Sequence, residues 1–381
     1  MSGPLTGYRV VEVGHMLAGP YCGLMLADLG AEIIKIEPPE GDIGRSVSPH
    51  FVGPHNAYFA SLNRSKKSIV LDLASEQGRV DLGKVVSQAH ALVTNLRPSA
   101  IRKLGLTYES LKQWNDRLVC VTLTGYGMDG PFANRPAYDY VIQALTGVMA
   151  MTGDPSSPPT KAGYSAVDNS AGLMATIGLL AKIIEGKGGQ VDVAMYDTML
   201  SQLNYLAGAA LNAGEEIVRI ADSSHPYIVP AQVFATADGW LTLFITHDGF
   251  WKSFCTEVGH KDWIDDPAFS TMAARRENRE KVVSAVGQVL IKASAATWVK
   301  RLEPLGIVVS EVGSLNAALD SDIAASRHVV VQLGGSSVSG LRALACPIRF
   351  DGQEPEYGLP PLLNEHHDEV LKGSRRESRA S

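Results

Sequence analysis

Asp168 stands in KAGYSAVDNSAGLMATIGLLAKI (161–183), where a carboxylate opens a long apolar run among small neighbours. Asn169, Ser170, Ala171 and Gly172 add little bulk after it and leave room for a ligand. From Ser170 to Ile184 the run is apolar on nearly every face apart from Lys182. The spacing therefore predicts a buried helix whose N-terminal dipole points at the Asp168 neighbourhood. A carboxylate so placed is poised for chemistry, although Asp is also a preferred helix cap. The preceding segment tips the reading towards chemistry. An aromatic-acidic cluster, Tyr138-Asp139-Tyr140, leads into a second small-residue apolar helix, and a Pro/Gly-rich loop then delivers the chain to Asp168.

The elements that must position these residues read as repeated βαβ units. Strand YRVVEV (8–13), loop GHMLAGP, helix YCGLMLADLG (21–30) and strand AEIIKIE (31–37) open the chain. Strands at 68–73, 91–96 and 118–127 alternate with helices, a pattern that favours a parallel α/β sheet with ligands at one strand edge. Past a connector at about 201–224 the character changes. HPYIVPAQVFATADGWLTLFIT (225–246) predicts a β-hairpin turning at Asp238-Gly239, followed by helices at about 248–259, 275–293 and 295–304. The expected organisation is a large Rossmann-like domain over 1–200, a linker over 201–224, a smaller α+β domain over 225–315, and a return to the large domain over 316–381. A dinucleotide-binding reading fails on the glycines. Gly14, Gly19 and Gly23 do not match G-x-G-x-x-G, and His15, Met16, Leu17 and Pro20 crowd the place where a pyrophosphate would approach.

A chain of 381 residues with 45% hydrophobic and 19% charged residues belongs to the ordinary globular class, with two domains as the natural expectation. The net charge of −6 and the scattered basic residues argue against a nucleic-acid partner. Cys22, Cys120, Cys255 and Cys346 show no metal or disulfide spacing, which fits a reducing cytoplasm. No secretory signal is read at the N-terminus, and the most apolar run reads as too short and lysine-interrupted to span a bilayer, so no membrane is expected. His366 and His367 lack the HExxH spacing, and no metal site is expected.

The segments 9–42, 61–73 (SLNRSKKSIVLDL), 93–111 (VTNLRPSAIRKLGLTYESL), 125–144 (GYGMDGPFANRPAYDYVIQA) and the Asp168 segment together resemble the class III coenzyme A transferases, the CaiB/BaiF family, over almost the whole chain. The resemblance implies a large domain whose parallel sheet is built from both chain ends, a small domain, and an interlocked homodimer. It also implies that Asp168 attacks the thioester of an acyl-CoA, passing through an aspartyl anhydride and an aspartyl-CoA thioester before CoA moves to a free carboxylic acid. Coenzyme A is then a substrate, and no cofactor is held permanently. Carried over position by position, Asn95, Leu96, Arg97 and Lys103 match the nucleotide-binding segment, and Lys67 matches a basic position in the second motif. His15 and Tyr138 match positions lining the pantetheine and thioester region. Arg135 is a candidate to meet a distal carboxylate, with a solvated surface arginine as the plainer reading, and nothing in the sequence names donor or acceptor. The glycine-rich loops of formyl-CoA transferase are not visible here. The α-methylacyl-CoA racemases and CoA lyases of the same fold are the alternatives. The racemases carry a histidine where this chain has Tyr138, and tyrosine is a poor substitute for a near-neutral base.

Overall fold

The computed structural model describes residues 3–334, 340–351 and 356–377. Six strands form the main sheet: β1 (Arg9–Val13), β2 (Glu32–Glu37), β3 (Lys67–Val70), β4 (Ala91–Thr94), β5 (Val119–Thr124) and β6 (Gly189–Ala194). All neighbours pair in parallel, in the order β3-β2-β1-β4-β5-β6. Sheets covered on both faces select strands that are apolar throughout, and β4 and β5 are buried at every position. Helices α1 (Ala18–Asp28), α2 (Ala57–Asn63), α3 (Glu76–Val86), α4 (Pro98–Lys103), α5 (Asp139–Leu145), α6 (Ala166–Glu185), α7 (Met195–Gln202) and α8 (Asn204–Ala213) accompany it. The chain order reverses between β1 and β4. In open α/β sheets such a switch point opens a crevice outside the carboxyl ends of the strands.

Two compact units divide the chain: 1–146 with 163–213 and 321–381, and 147–162 with 214–320. The stretch 147–162, read from sequence as part of the large domain, groups with the smaller unit, and α8 occupies part of the expected linker.

The expectation of a sheet built from both chain ends needs correction. All six strands come from residues 9–194, and among the described residues the C-terminal segment adds no strand to that sheet. It dresses the edge strand β3 instead. Asn364 Oδ1 accepts from Val70 N–H at 2.7 Å, and His366 N–H donates to Ser68 O at 2.9 Å. The helix His367–Glu377 packs on α3 and β3. Side-chain and single backbone bonds of this kind satisfy an exposed edge without extending it.

At twenty residues α6 is long and apolar enough, by length and composition, to cross a bilayer, longer than the sequence reading allowed. Its face bearing Ala171, Gly172, Ala175, Thr176 and Leu179 is buried, and α6 packs on α1 and β5.

The smaller unit has a three-stranded antiparallel sheet, β7 (Ala231–Ala235), β8 (Trp240–Phe244) and β9 (Val308–Glu311), in the order β9-β8-β7. The hairpin turns where Asp238-Gly239 predicts it, with Thr236 N–H donating to Gly239 O at 2.9 Å. β9, which lies beyond the predicted helices, completes the sheet. Trp251, Phe254, Trp263 and Phe269 fill the unit's core, with the rings of Trp251 and Trp263 stacked 6.0 Å apart.

Candidate active site

Outside the carboxyl ends of β1, β4, β5 and β6 lies a cavity of about 350 Å³, lined wholly by residues of the larger unit. His15 and Met16 follow β1, Asn95 to Arg97 follow β4, Thr124 ends β5 and Met195 follows β6. Asp168 faces the same cavity from the first turn of α6. A cavity of about 440 Å³ at the amino ends of the strands is lined by Tyr8, His90, Arg117 and Lys187, among others, but by no carboxylate. The smaller one, at the switch point, is therefore the candidate active site.

Asp168 is not the cap of its helix. Ser165 holds the N-cap position without a side-chain cap bond, and Asp168 is the third helical residue. The missing cap comes from α5: Asp139 Oδ2 accepts from Val167 N–H at 2.9 Å, and its Oδ1 accepts from Gln143 Nε2 at 2.5 Å. Burial, and secondarily the charge of Asp139, pushes the Asp168 carboxyl up to about 7, although a helix N-terminus favours the anion. On α2, Tyr58 meets the same field. Burial and then the charges of Asp168 and Asp42 push its hydroxyl up to about 12, so it remains a donor at neutral pH. Gly172 lets α6 approach the start of α1 closely, because a Cβ there would lie 2.9 Å from Ala18 O.

The loop after β1 is pinned from two sides. Asn95 Oδ1 accepts from His15 N–H at 3.0 Å and its Nδ2 donates to His15 O at 2.9 Å, so the two sides of the switch point are tied by one side chain. Asp42 Oδ1 accepts from Met16 N–H at 3.2 Å and holds that residue at φ +63°. Beneath the loop lies a fully buried ionic cluster. Lys35 Nζ reaches Glu12 Oε1 and Asp42 Oδ2, both at 2.8 Å, and Lys66 Nζ reaches Glu12 Oε2 at 2.7 Å. Lys35 also donates to Gly14 O at 2.9 Å, and Lys66 to Pro20 O at 2.8 Å. The three glycines that fail as a dinucleotide fingerprint are explained here. A Cβ on Gly14 or Gly19 would meet Asn95 Oδ1 at 2.5 or 2.8 Å, and one on Gly23 would overlap the Glu12 carboxylate. They make room for the side chains that hold the loop.

Of the residues carried over from sequence, Asp168, His15, Asn95, Leu96, Arg97 and Tyr138 come together around this cavity. Lys67 and Lys103 do not. Lys67 opens β3 at the amino edge of the sheet, where its Nζ lies 2.6 Å from both Glu32 and Glu369. A residue at the start of a parallel strand cannot reach the carboxyl edge, which corrects its placement. Lys103 is the last residue of α4 and solvent-exposed, while Arg97 precedes that helix at the cavity.

Sequence reasoning missed Tyr58 and Thr124, which also line the cavity; Arg135, weighed from sequence as a contact for a distal carboxylate or a surface arginine, lies on the same wall. Thr124 Oγ1 and His15 Nδ1 are buried there without hydrogen-bond partners, and burial lowers the His15 pKa. The Arg135 guanidinium lies 5.7 Å from the Tyr126 ring centroid and makes no ion pair among the described residues. An Asp following an aromatic in AYDYV was the one signal that could have singled out Asp139 as more than a helix start.

A parallel sheet with a carboxylate in its switch-point cavity has the arrangement in which open α/β proteins bind their ligands. Residues 5–367 match the sequence model of CoA-transferase family III, and the chain belongs to that family of enzymes. It is 33% identical over 371 residues to acetyl-CoA:oxalate CoA-transferase of Acetobacter aceti, covering 95% of this chain and 94% of that protein. It is 32% identical to succinate–glutarate CoA-transferase of Agrobacterium fabrum, covering 97% and 95%. With succinyl-CoA:mesaconate CoA-transferase of Haloarcula hispanica the identity is 30%, covering 97% and 96%. Among solved structures, a CaiB/BaiF family protein from Brucella suis superposes with a TM-score of 0.85 at 31% identity, covering 98% of this chain and 100% of that one.

Proposed function

We propose that this protein moves coenzyme A from an acyl-CoA donor to a free carboxylic acid through covalent intermediates on Asp168. The observation that carries the reading is Asp168 itself, a carboxylate held at a helix start and facing the switch-point cavity. Its oxygen attacks the thioester carbonyl, the C–S bond breaks, and a mixed anhydride and CoA thiolate result. The thiolate then attacks the Asp168 carbonyl, releasing the donor acid and leaving an aspartyl-CoA thioester. An acceptor carboxylate displaces the thiolate to form a second anhydride. Thiolate attack on the acceptor's carbonyl gives the product acyl-CoA and frees Asp168. Dividing one difficult transfer in this way is the benefit of nucleophilic catalysis. Oxyanions along the path need preorganised donors, and the backbone N–H groups at the α1 start and the Tyr58 hydroxyl are suitably placed candidates.

Asn95, Leu96 and Arg97 would meet the nucleotide end of CoA, and His15 and Tyr138 the thioester end. We assign a short dicarboxylate as the acceptor. Oxalate, glutarate and mesaconate in the relatives' names support this, as does Arg135, a cation on the cavity wall without an ion-pair partner among the described residues. The reading includes a homodimer in the cytoplasm. Leu173, Ile177 and Ile184 leave an apolar face of α6 open to solvent in the single chain, and a second copy would cover it.

Intact-mass spectrometry after incubation with a panel of acyl-CoAs, with and without hydroxylamine, tests the proposal. A CoA-sized adduct on the wild type that hydroxylamine removes and Asp168→Ala lacks is the expected result. Solvent deuterium entering the acyl α-carbon with no adduct from any donor would replace the transferase reading with the racemase or lyase alternative.

A further inference from the structure

We propose that Asp139 is a positioning residue that destabilises the free Asp168 carboxylate and so drives the nucleophile into its acylated forms. This deepens the covalent reading of Asp168 and rests on it. Asp139 takes no part in bond-making. Its side chain is buried and accepts on both oxygens, from Val167 N–H at 2.9 Å and from Gln143 Nε2 at 2.5 Å, as an ionised carboxylate does. Those bonds fix it one residue from the nucleophile on the capped turn, where Ser165 supplies no cap of its own. The cap and the repelling charge are therefore the same group.

The titratable and charged groups around this repulsion come from every element at the site. They are Tyr58 on α2, His15 in the loop after β1, Arg97 before α4, Arg135 in the turn before α5, and Tyr138 and Tyr140 beside Asp139. α1 adds Tyr21 near Gly172, and α7 adds Tyr196 and the exposed Asp197. Burial raises the hydroxyls of Tyr58 and Tyr21, burial holds His15 towards its neutral form, and neither arginine caps α6. Burial is the larger cause that raises the Asp168 carboxyl, and Asp139 is the neighbouring charge that adds to it.

Acylation removes the negative charge from Asp168. Every covalent form, whether anhydride or CoA thioester, is thus relieved of a repulsion that free enzyme suffers. The equilibrium between Enz-COO⁻ plus acyl-CoA and the enzyme thioester plus free acid shifts towards the thioester by the same factor that raises proton affinity. A shift of one pH unit corresponds to about a tenfold factor. The repulsion also makes Asp168 a more basic and hence more reactive oxygen nucleophile, at the cost of a higher acid limb in the pH profile.

Asp139→Asn separates charge from cap. An asparagine can still accept from Val167 N–H, and Gln143 can turn its amide so that its oxygen accepts from the new NH₂. The experiment measures two quantities with one donor acyl-CoA between pH 5.5 and 9: the pH dependence of kcat/KM, and the fraction of enzyme carrying the hydroxylamine-labile CoA adduct at fixed donor and free acid. Relative to wild type, Asp139→Asn should move the acid limb down by about one pH unit and lower the adduct-to-free-enzyme ratio at pH 8 about tenfold. A residue that only held the helix would lower activity without moving the limb, and an unmoved limb with an unchanged adduct ratio overturns the proposal. Should Asp139→Asn not fold, Asp139→Ser, which keeps an uncharged cap acceptor, takes its place with the same expected shifts, and a wild-type acid limb already below about pH 5.5 overturns the proposal. If the wild type forms no CoA adduct while Asp168→Ala is inactive, the covalent reading fails, and that result is distinct from either outcome above.

Discussion

At the scale of single residues, Asp168 shows the opposition between stability and chemistry. Its folded-state pKa of about 7 lies above the unfolded carboxylate value, so the protonated form is favoured in the fold. Its contribution to stability is fully present below about pH 4, falls as pH rises, and is lost above about 7. Asp168→Asn removes the ionisation. It should raise Tm by roughly 2–4 °C at pH 8 and by less at pH 5, while abolishing the CoA adduct and lowering turnover by about a thousandfold or more. Thermal scans at the two pH values, paired with turnover assays, check both signs. Arg135 makes a different kind of contribution. If it holds the far carboxylate of the acceptor, Arg135→Leu should raise KM for a dicarboxylate about 10–100-fold and change that for a monocarboxylate little. Equal effects on both acids would remove Arg135 from acceptor selection.

The relevant elements are the loop after β1 and the start of α6, both held by side chains from other elements. Asn95 and Asp42 fix the loop, and Glu12, Lys35 and Lys66 fix the ground beneath it. Removing one member of a buried ionic cluster leaves an uncompensated charge. Lys35→Met leaves Asp42 without a cation and Glu12 with Lys66 alone, and should cost about 3–5 kcal/mol in urea denaturation. Because Asp42 also holds Met16, the same change should raise KM for the acyl-CoA in protein that remains folded. An unchanged denaturation midpoint would mean that the cluster contributes nothing net.

For the whole molecule, the open apolar face of α6 is the feature a single chain leaves unexplained. Ile177 is 58% exposed and Ile184 is 85% exposed, on a helix whose other face is core. Ile177→Glu should convert the proposed homodimer to a monomer by light scattering and lower Tm, whereas in a natural monomer an exposed Ile→Glu change would be close to neutral. A monomeric wild type would sink the dimer outright.

The α/β class, the first βαβ unit, the small-unit hairpin and the Asp168 helix were legible in the sequence because each is local. Apolar periodicity, a D-G turn and a long apolar run need no knowledge of partners. The motifs also carried most of the cavity wall, since His15 and Asn95 to Arg97 follow strands directly and strand ends share an edge in a parallel sheet. Three things depended on tertiary structure. Lys67 falls on the wrong edge because strand ends differ by the length of a strand, a distance that spacing alone does not orient. The C-terminal tail bonds to the edge of β3 without becoming a strand, a choice made by Asn364 and Ser68 across nearly three hundred residues. The pairing of Asp139 with the start of α6 joins residues 28 positions apart, so the cap beside the proposed nucleophile exists only once the two helices meet.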